Sequence, residues 1–176
     1  EGNADRLVLW DINAATPGFG ELGYTYSKPT VVKAEGHGWV AVFGNGYHSA
    51  SGKAVLYVVR IDDGALLASI DLSVDSSGNP YTPHGINNGL SSVSPIDRDG
   101  DGDVDLIYAG DLNGNMWRFA ATPGTGFDRA GATILYSATN AAGTPQRITS
   151  RPAVGYHPTS SIGRMVYFGT GKYYEA

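Results

Sequence analysis

The 176 residues suffice for one ordinary domain, and a hydrophobic share of 41% allows it a sizeable core. Most of the net charge of −5 is local, because five aspartates and one arginine between positions 97 and 105 carry −4 of it. The chain has no basic stripe, no cysteine and no run near the ~20 apolar residues of a membrane span, which argues against a nucleic-acid partner, disulfides, thiolate metal sites and a spanning helix.

Glycine (25) and tyrosine (11) are abundant and charged residues make up only 16%, so all-β structure is expected. In chain order, Arg6–Ile12 reads as a strand that ends in the loop Thr16-Pro17-Gly18-Phe19-Gly20. Pro29–Val32 and Trp39–Phe43 follow, separated by the turn Glu35-Gly36-His37-Gly38. Val55–Ile61 is the clearest strand, and Asp62-Asp63-Gly64 turns it into Ala65–Ile70. The polar stretch from Ser73 to Gly89, with Tyr81 and His84, reads as a long exposed loop.

The pattern then recurs. Ser94-Pro95-Ile96 parallels Lys28-Pro29-Thr30, Leu106–Gly110 parallels Val40–Gly44, and Asn115–Phe119 parallels Leu56–Arg60, with Thr133–Tyr136 as the fourth strand. A third round begins at Arg151–Val154, continues through Met165–Gly169 and breaks off in Lys172-Tyr173-Tyr174. The marking prolines at 29, 95 and 152 give an irregular period of 57 to 66 residues. Four short strands per round predict a β-propeller, with residues 1–176 holding about two complete blades plus flanking strands. A β-sandwich is the structural alternative. Since a closed ring takes at least about four blades, and the chain opens and stops inside strand-like sequence, it is expected to be a fragment of a longer secreted protein.

Between the first two strands of the second round lies Asp97-Arg98-Asp99-Gly100-Asp101-Gly102-Asp103-Val104-Asp105. Five like charges this close repel and need a counter-charge. Alternating aspartates with glycine at position six match the start of a Ca²⁺-binding loop, and Ca²⁺ takes 6–8 oxygens in a flexible shell, where Mg²⁺ demands stricter geometry. Position twelve, where an EF-hand needs a bidentate glutamate, is Tyr108, and the flanks read as strand. The expected site is therefore a shorter calcium loop closed at position nine, with side-chain oxygens from Asp97, Asp99, Asp101 and Asp105 and the backbone carbonyl of Asp103.

Gly44-Asn45-Gly46-Tyr47, the aspartate loop, Tyr108–Phe119 (YAGDLNGNMWRF) and Tyr167-Phe168-Gly169-Thr170-Gly171-Lys172-Tyr173 together resemble the C-terminal propeller of the PilY/PilC type IV pilus tip proteins. The likeness runs from about Leu7 to the end; a YAGDLxGNxWRF stretch just after a calcium loop is its specific part. It implies a secreted, pilus-tip or outer-membrane bacterial protein that supports pilus assembly, opposes retraction and contributes to twitching motility and to adhesion to host or abiotic surfaces, with minor pilins as partners and Ca²⁺ as cofactor. Within these 176 residues the likeness covers only the propeller and is truncated relative to the family's full pattern, which often includes an N-terminal von Willebrand A-like domain, and Ala120 stands where aspartate is frequent.

Two other functions share parts of the pattern. A quinone-dependent dehydrogenase propeller also has Gly/Trp-rich blades, but it needs its calcium open to the cofactor, and the aspartates here form a self-contained turn. An integrin-like propeller shares the nine-residue loop and places its ligand site elsewhere. No catalytic constellation is expected. His37, His48, His84 and His157 lack metal-ligand spacing, no serine sits in a G-x-S-x-G elbow, and Asp62 and Asp63 form a hairpin turn. Trp10, Trp39 and Trp117 are expected at strand positions as packing residues.

Overall fold

The structure is a computed structural model that describes residues 8–75, 77–79, 87–159 and 163–171. Among these there is no helix, and the ten strands form three antiparallel sheets. The first is β1 (Thr30–Ala34), β2 (Gly38–Gly44), β3 (Val55–Arg60) and β4 (Leu66–Asp71), hydrogen-bonded in that order. The second repeats the arrangement with β5 (Leu90–Ile96), β6 (Leu106–Asp111), β7 (Asn115–Thr122) and β8 (Gly126–Ser137). The third consists of β9 (Ala153–Tyr156) and β10 (Arg164–Tyr167).

The inner strands are β-branched and aromatic and are buried on both faces, as in β3 (VLYVVR) and β6 (LIYAGD). Alternate residues therefore feed different cores. Val40, Val42, Leu56, Val58 and Ile70 of the first sheet pack against Leu90, Val93, Ile107, Trp117 and Phe119 of the second. On the far side of the first sheet, Phe43, Val55, Tyr57 and Val59 are covered by Trp10, Ile12, Phe19 and Leu22. On the far side of the second, Leu106, Tyr108 and Met116 meet Ile148, Val154, Val166 and Phe168. Each of these larger side chains, when fully buried, contributes about 1.5–3 kcal/mol by leaving water. The second sheet thus buries its two faces against two different neighbours, which is serial stacking of blades and not a two-sheet sandwich.

Close approach between sheets explains the recurring strand-glycine. A Cβ at Gly44 would collide with the backbone carbonyls of Leu90 and Ser91, and one at Gly110 with Ile148. Gly44 ends β2 and Gly110 is the last residue but one of β6, so the following round of chain can approach closely there.

Three expectations are corrected. The described part of Arg6–Ile12, residues 8–12, is not strand; Trp10 instead folds onto the first sheet and donates its indole N–H to the carbonyl of Ile61 at 2.7 Å. Trp39 is on a strand but stands 59% exposed, whereas Trp117 is buried as expected. The fourth strand of the second sheet is three times longer than Thr133–Tyr136, because a tight turn closed by Thr125 N–H on the Thr122 carbonyl lets Phe127 pair with Ala121. Tyr81, His84 and Lys172-Tyr173-Tyr174 lie outside the described residues.

Candidate metal centre

The aspartate loop is residues 97–105, the connection from β5 to β6. Its neck is closed by Asp105 N–H donating to the Ile96 carbonyl at 3.1 Å. Val104, 8% exposed, plugs into the core between the first two sheets and anchors the loop's far end. Gly100 (φ 88°) and Gly102 (φ 93°) take the left-handed conformation that lets so short a loop fold back on itself.

That folding turns the first and last carboxylates inward. The Asp97 oxygens accept from Gly100 N–H at 2.7 Å and Gly102 N–H at 2.9 Å. Asp105 Oδ2 accepts from Arg98 N–H at 2.6 Å, tying the ends of the loop together. Asp99 Oδ1 accepts from Asp101 N–H at 3.3 Å. As a result one oxygen each from Asp97, Asp99 and Asp105 lies within 4.8 Å of the others. Hydrogen bonds from the Gly100 and Gly102 amides hold the Asp97 carboxyl below the usual carboxylate range, so it stays ionised near neutral pH.

The other two aspartates are directed elsewhere. Asp101 Oδ1 accepts from Asp103 N–H at 2.8 Å, and Asp101 stands outside the convergent group. The Asp103 carboxylate pairs with Lys33 Nζ of β1 at 3.0 Å. Among the described residues the other ion pairs are Lys53–Asp71 and Arg60–Asp63, so the convergent trio has no basic side chain paired to it. Three carboxyl groups converging with no basic side chain paired to them are hard-oxygen donors of the kind a hard divalent cation takes.

The remaining candidates take ordinary structural roles. Asp63 holds Arg60 through two hydrogen bonds at 2.9 and 2.8 Å across the β3–β4 turn. His37 contacts the carbonyl of Thr125 in the neighbouring sheet, and His157 contacts Thr159 next to it.

Contacts from both neighbouring sheets to the loop were not foreseeable from local sequence. From the first sheet come the Lys33 ammonium and the Lys33 carbonyl, which accepts from Val104 N–H at 2.9 Å. From the third comes Arg164, whose guanidinium donates to the Arg98 carbonyl at 3.2 Å while lying 4.2 Å from the centre of the Tyr156 ring. A second polar centre, also unpredicted, is fully buried. Asp111 accepts from Asn115 N–H, Asn115 Nδ2, Trp117 Nε1 and Asn88 Nδ2 at 2.8–3.0 Å. Its counterpart is Asn45, which follows Gly44 as Asp111 follows Gly110 and bonds to Val55, Leu90, Glu21 and Lys53. Superposing the repeats on their strand-glycines would have revealed that pair.

Comparison with known proteins places this arrangement among others. The family model of the PilY1 beta-propeller domain matches residues 10–129. A type IV pilus biogenesis factor PilY1 homolog of Xylella fastidiosa is 37% identical over 179 residues, covering 96% of this chain and 12% of that protein. The type IV pilus biogenesis factor PilY1 of Pseudomonas aeruginosa strain PAO1 is 37% identical over 191 residues, covering 98% of this chain and 16% of that protein. The crystal structure of the Pseudomonas aeruginosa PilY1 C-terminal domain superposes with a TM-score of 0.79 at 36% identity, over 95% of this chain and 36% of that one. The chain therefore spans a small part of the length of the curated relatives it matches.

Proposed function

The chain belongs to the PilY1 β-propeller family, and on that premise we propose that it is the calcium-binding propeller segment of a type IV pilus biogenesis protein that controls pilus extension and retraction, twitching motility and surface adhesion. The observation that carries the calcium reading is the convergence of Asp97, Asp99 and Asp105 in a closed strand-to-strand loop. The Asp103 carbonyl and Asp101 complete the proposed oxygen set, Asp101 only after its side chain turns away from the Asp103 N–H it accepts from here.

The proposed mechanism is conformational and not catalytic. Bound Ca²⁺ neutralises the loop and fixes β5 against β6, and through Val104 it also fixes the second blade against the first. Without metal, carboxylate repulsion loosens that corner. The protein works at the cell surface, at the pilus tip or outer membrane, with minor pilins and host or abiotic surfaces as its partners. No helix among the described residues is long and apolar enough to cross a membrane.

The test is made in the full-length protein that carries this chain. Asp97→Ala and Asp105→Ala are introduced, and twitching zones and surface pili are compared with wild type at equal protein abundance. The reading predicts reduced motility or piliation in both variants. Wild-type motility and piliation from a secreted protein that no longer takes up Ca²⁺ would contradict it.

A further inference from the structure

The Lys33 ammonium is the one basic group from another sheet that forms an ion pair with the aspartate loop among the described residues. It sits 3.0 Å from Asp103 Oδ1, with side-chain exposures of 48% for Lys33 and 19% for Asp103. The contact spans two blades, since Lys33 belongs to β1 and Asp103 to the β5–β6 loop. Lys33 also meets the loop in a second, separable way, because its backbone carbonyl accepts from Val104 N–H. Changing the side chain removes the charge and leaves that backbone tie in place.

Resting on the calcium reading above, we propose that Lys33 is a resident counter-ion of the metal loop. It holds the metal-free loop together by neutralising Asp103, and it sets the loop's calcium affinity by lowering the negative charge that the ion meets. The argument is electrostatic. Affinity in calcium loops follows ligand charge count and site rigidity, and a fixed ammonium beside the carboxylates repels an arriving dication. By reciprocity, if Lys33 weakens calcium binding, bound calcium must weaken what Lys33 contributes to stability by the same factor. Metal and lysine are thus alternative sources of positive charge for one loop. The first blade thereby carries the residue that tunes a site built in the second.

The experiment uses the full chain as wild type, Lys33→Met and Lys33→Arg, with CaCl2 titrated calorimetrically and thermal melts run in EGTA and in saturating CaCl2. Lys33→Met is expected to bind Ca²⁺ roughly threefold to tenfold more tightly than wild type. Its melting temperature is expected to fall in EGTA and to fall less in CaCl2. Lys33→Arg, which keeps the charge, stays within about twofold of wild-type affinity. Unchanged or weaker calcium binding by Lys33→Met overturns the inference while leaving the calcium reading intact. A wild-type chain that takes up no Ca²⁺ overturns both.

Discussion

The carboxylate of Asp111 has no solvent around it and is surrounded by donors from Asn88, Asn115 and Trp117. Truncating it removes the acceptor of four hydrogen bonds at once, so Asp111→Ala is expected to cost about 3–5 kcal/mol in denaturant unfolding. Tyr57, fully buried behind Phe19 and Phe43, makes stability sensitive to alkaline pH. Burial pushes its hydroxyl pKa from about 10 up to about 12. A raised folded-state pKa means the tyrosine's contribution is complete below pH ~10 and is lost as pH climbs through ~12. Melting temperatures measured across that window should fall for wild type and fall less steeply for Tyr57→Phe. The aspartates of the 97–105 loop stood out in sequence because like charges at fixed spacing require a counter-charge, but sequence did not separate Asp97, Asp99 and Asp105, which converge, from Asp101 and Asp103, which do not. Lys33 did not stand out, because seventy positions separate it from Asp103 and only the stacked sheets bring them together.

The strands that sequence located well are those whose residues alternate or are wholly apolar, such as β2, β3 and β6, all of them inner strands with neighbours on both edges. It failed where a segment's apolar residues serve a different geometry. Trp10 and Ile12 look like part of a strand but form an irregular cover over the first sheet. The start of β8 (Gly-Phe-Asp-Arg-Ala-Gly) has the composition of a loop and is held as strand by its partner β7. The strand-glycines were visible as a repeat, but their reason is contact between sheets. Gly110→Val would drive a side chain into Ile148 and push the segment before β9 off the second sheet. It should destabilise by about 1–3 kcal/mol or more, whereas Gly155→Ala, with only the ring of Tyr167 at 4.0 Å, should remain near wild type in the same unfolding assay.

Across the whole molecule, three sheets stack in series and the charged loop sits where all three can reach it. Val104 and Lys33 connect it to the first sheet, its own strands to the second, and Arg164 to the third. That placement gives the loop contacts to all three described sheets. The four-strand repeat made the propeller legible in sequence, and the motif order made the family legible. The inter-sheet ties were hidden because they depend on residues 57 to 70 positions apart meeting, such as Ser91 with Ile148 and Lys33 with Asp103. The central claim is that this loop is a calcium site, and calorimetric titration of chelator-stripped full chain with CaCl2 tests it most directly. The account predicts one Ca²⁺ bound per chain with a Kd at or below about 10⁻³ M, abolished by Asp97→Ala; no binding heat from wild type up to millimolar CaCl2, with a melting temperature indifferent to the metal, would contradict it.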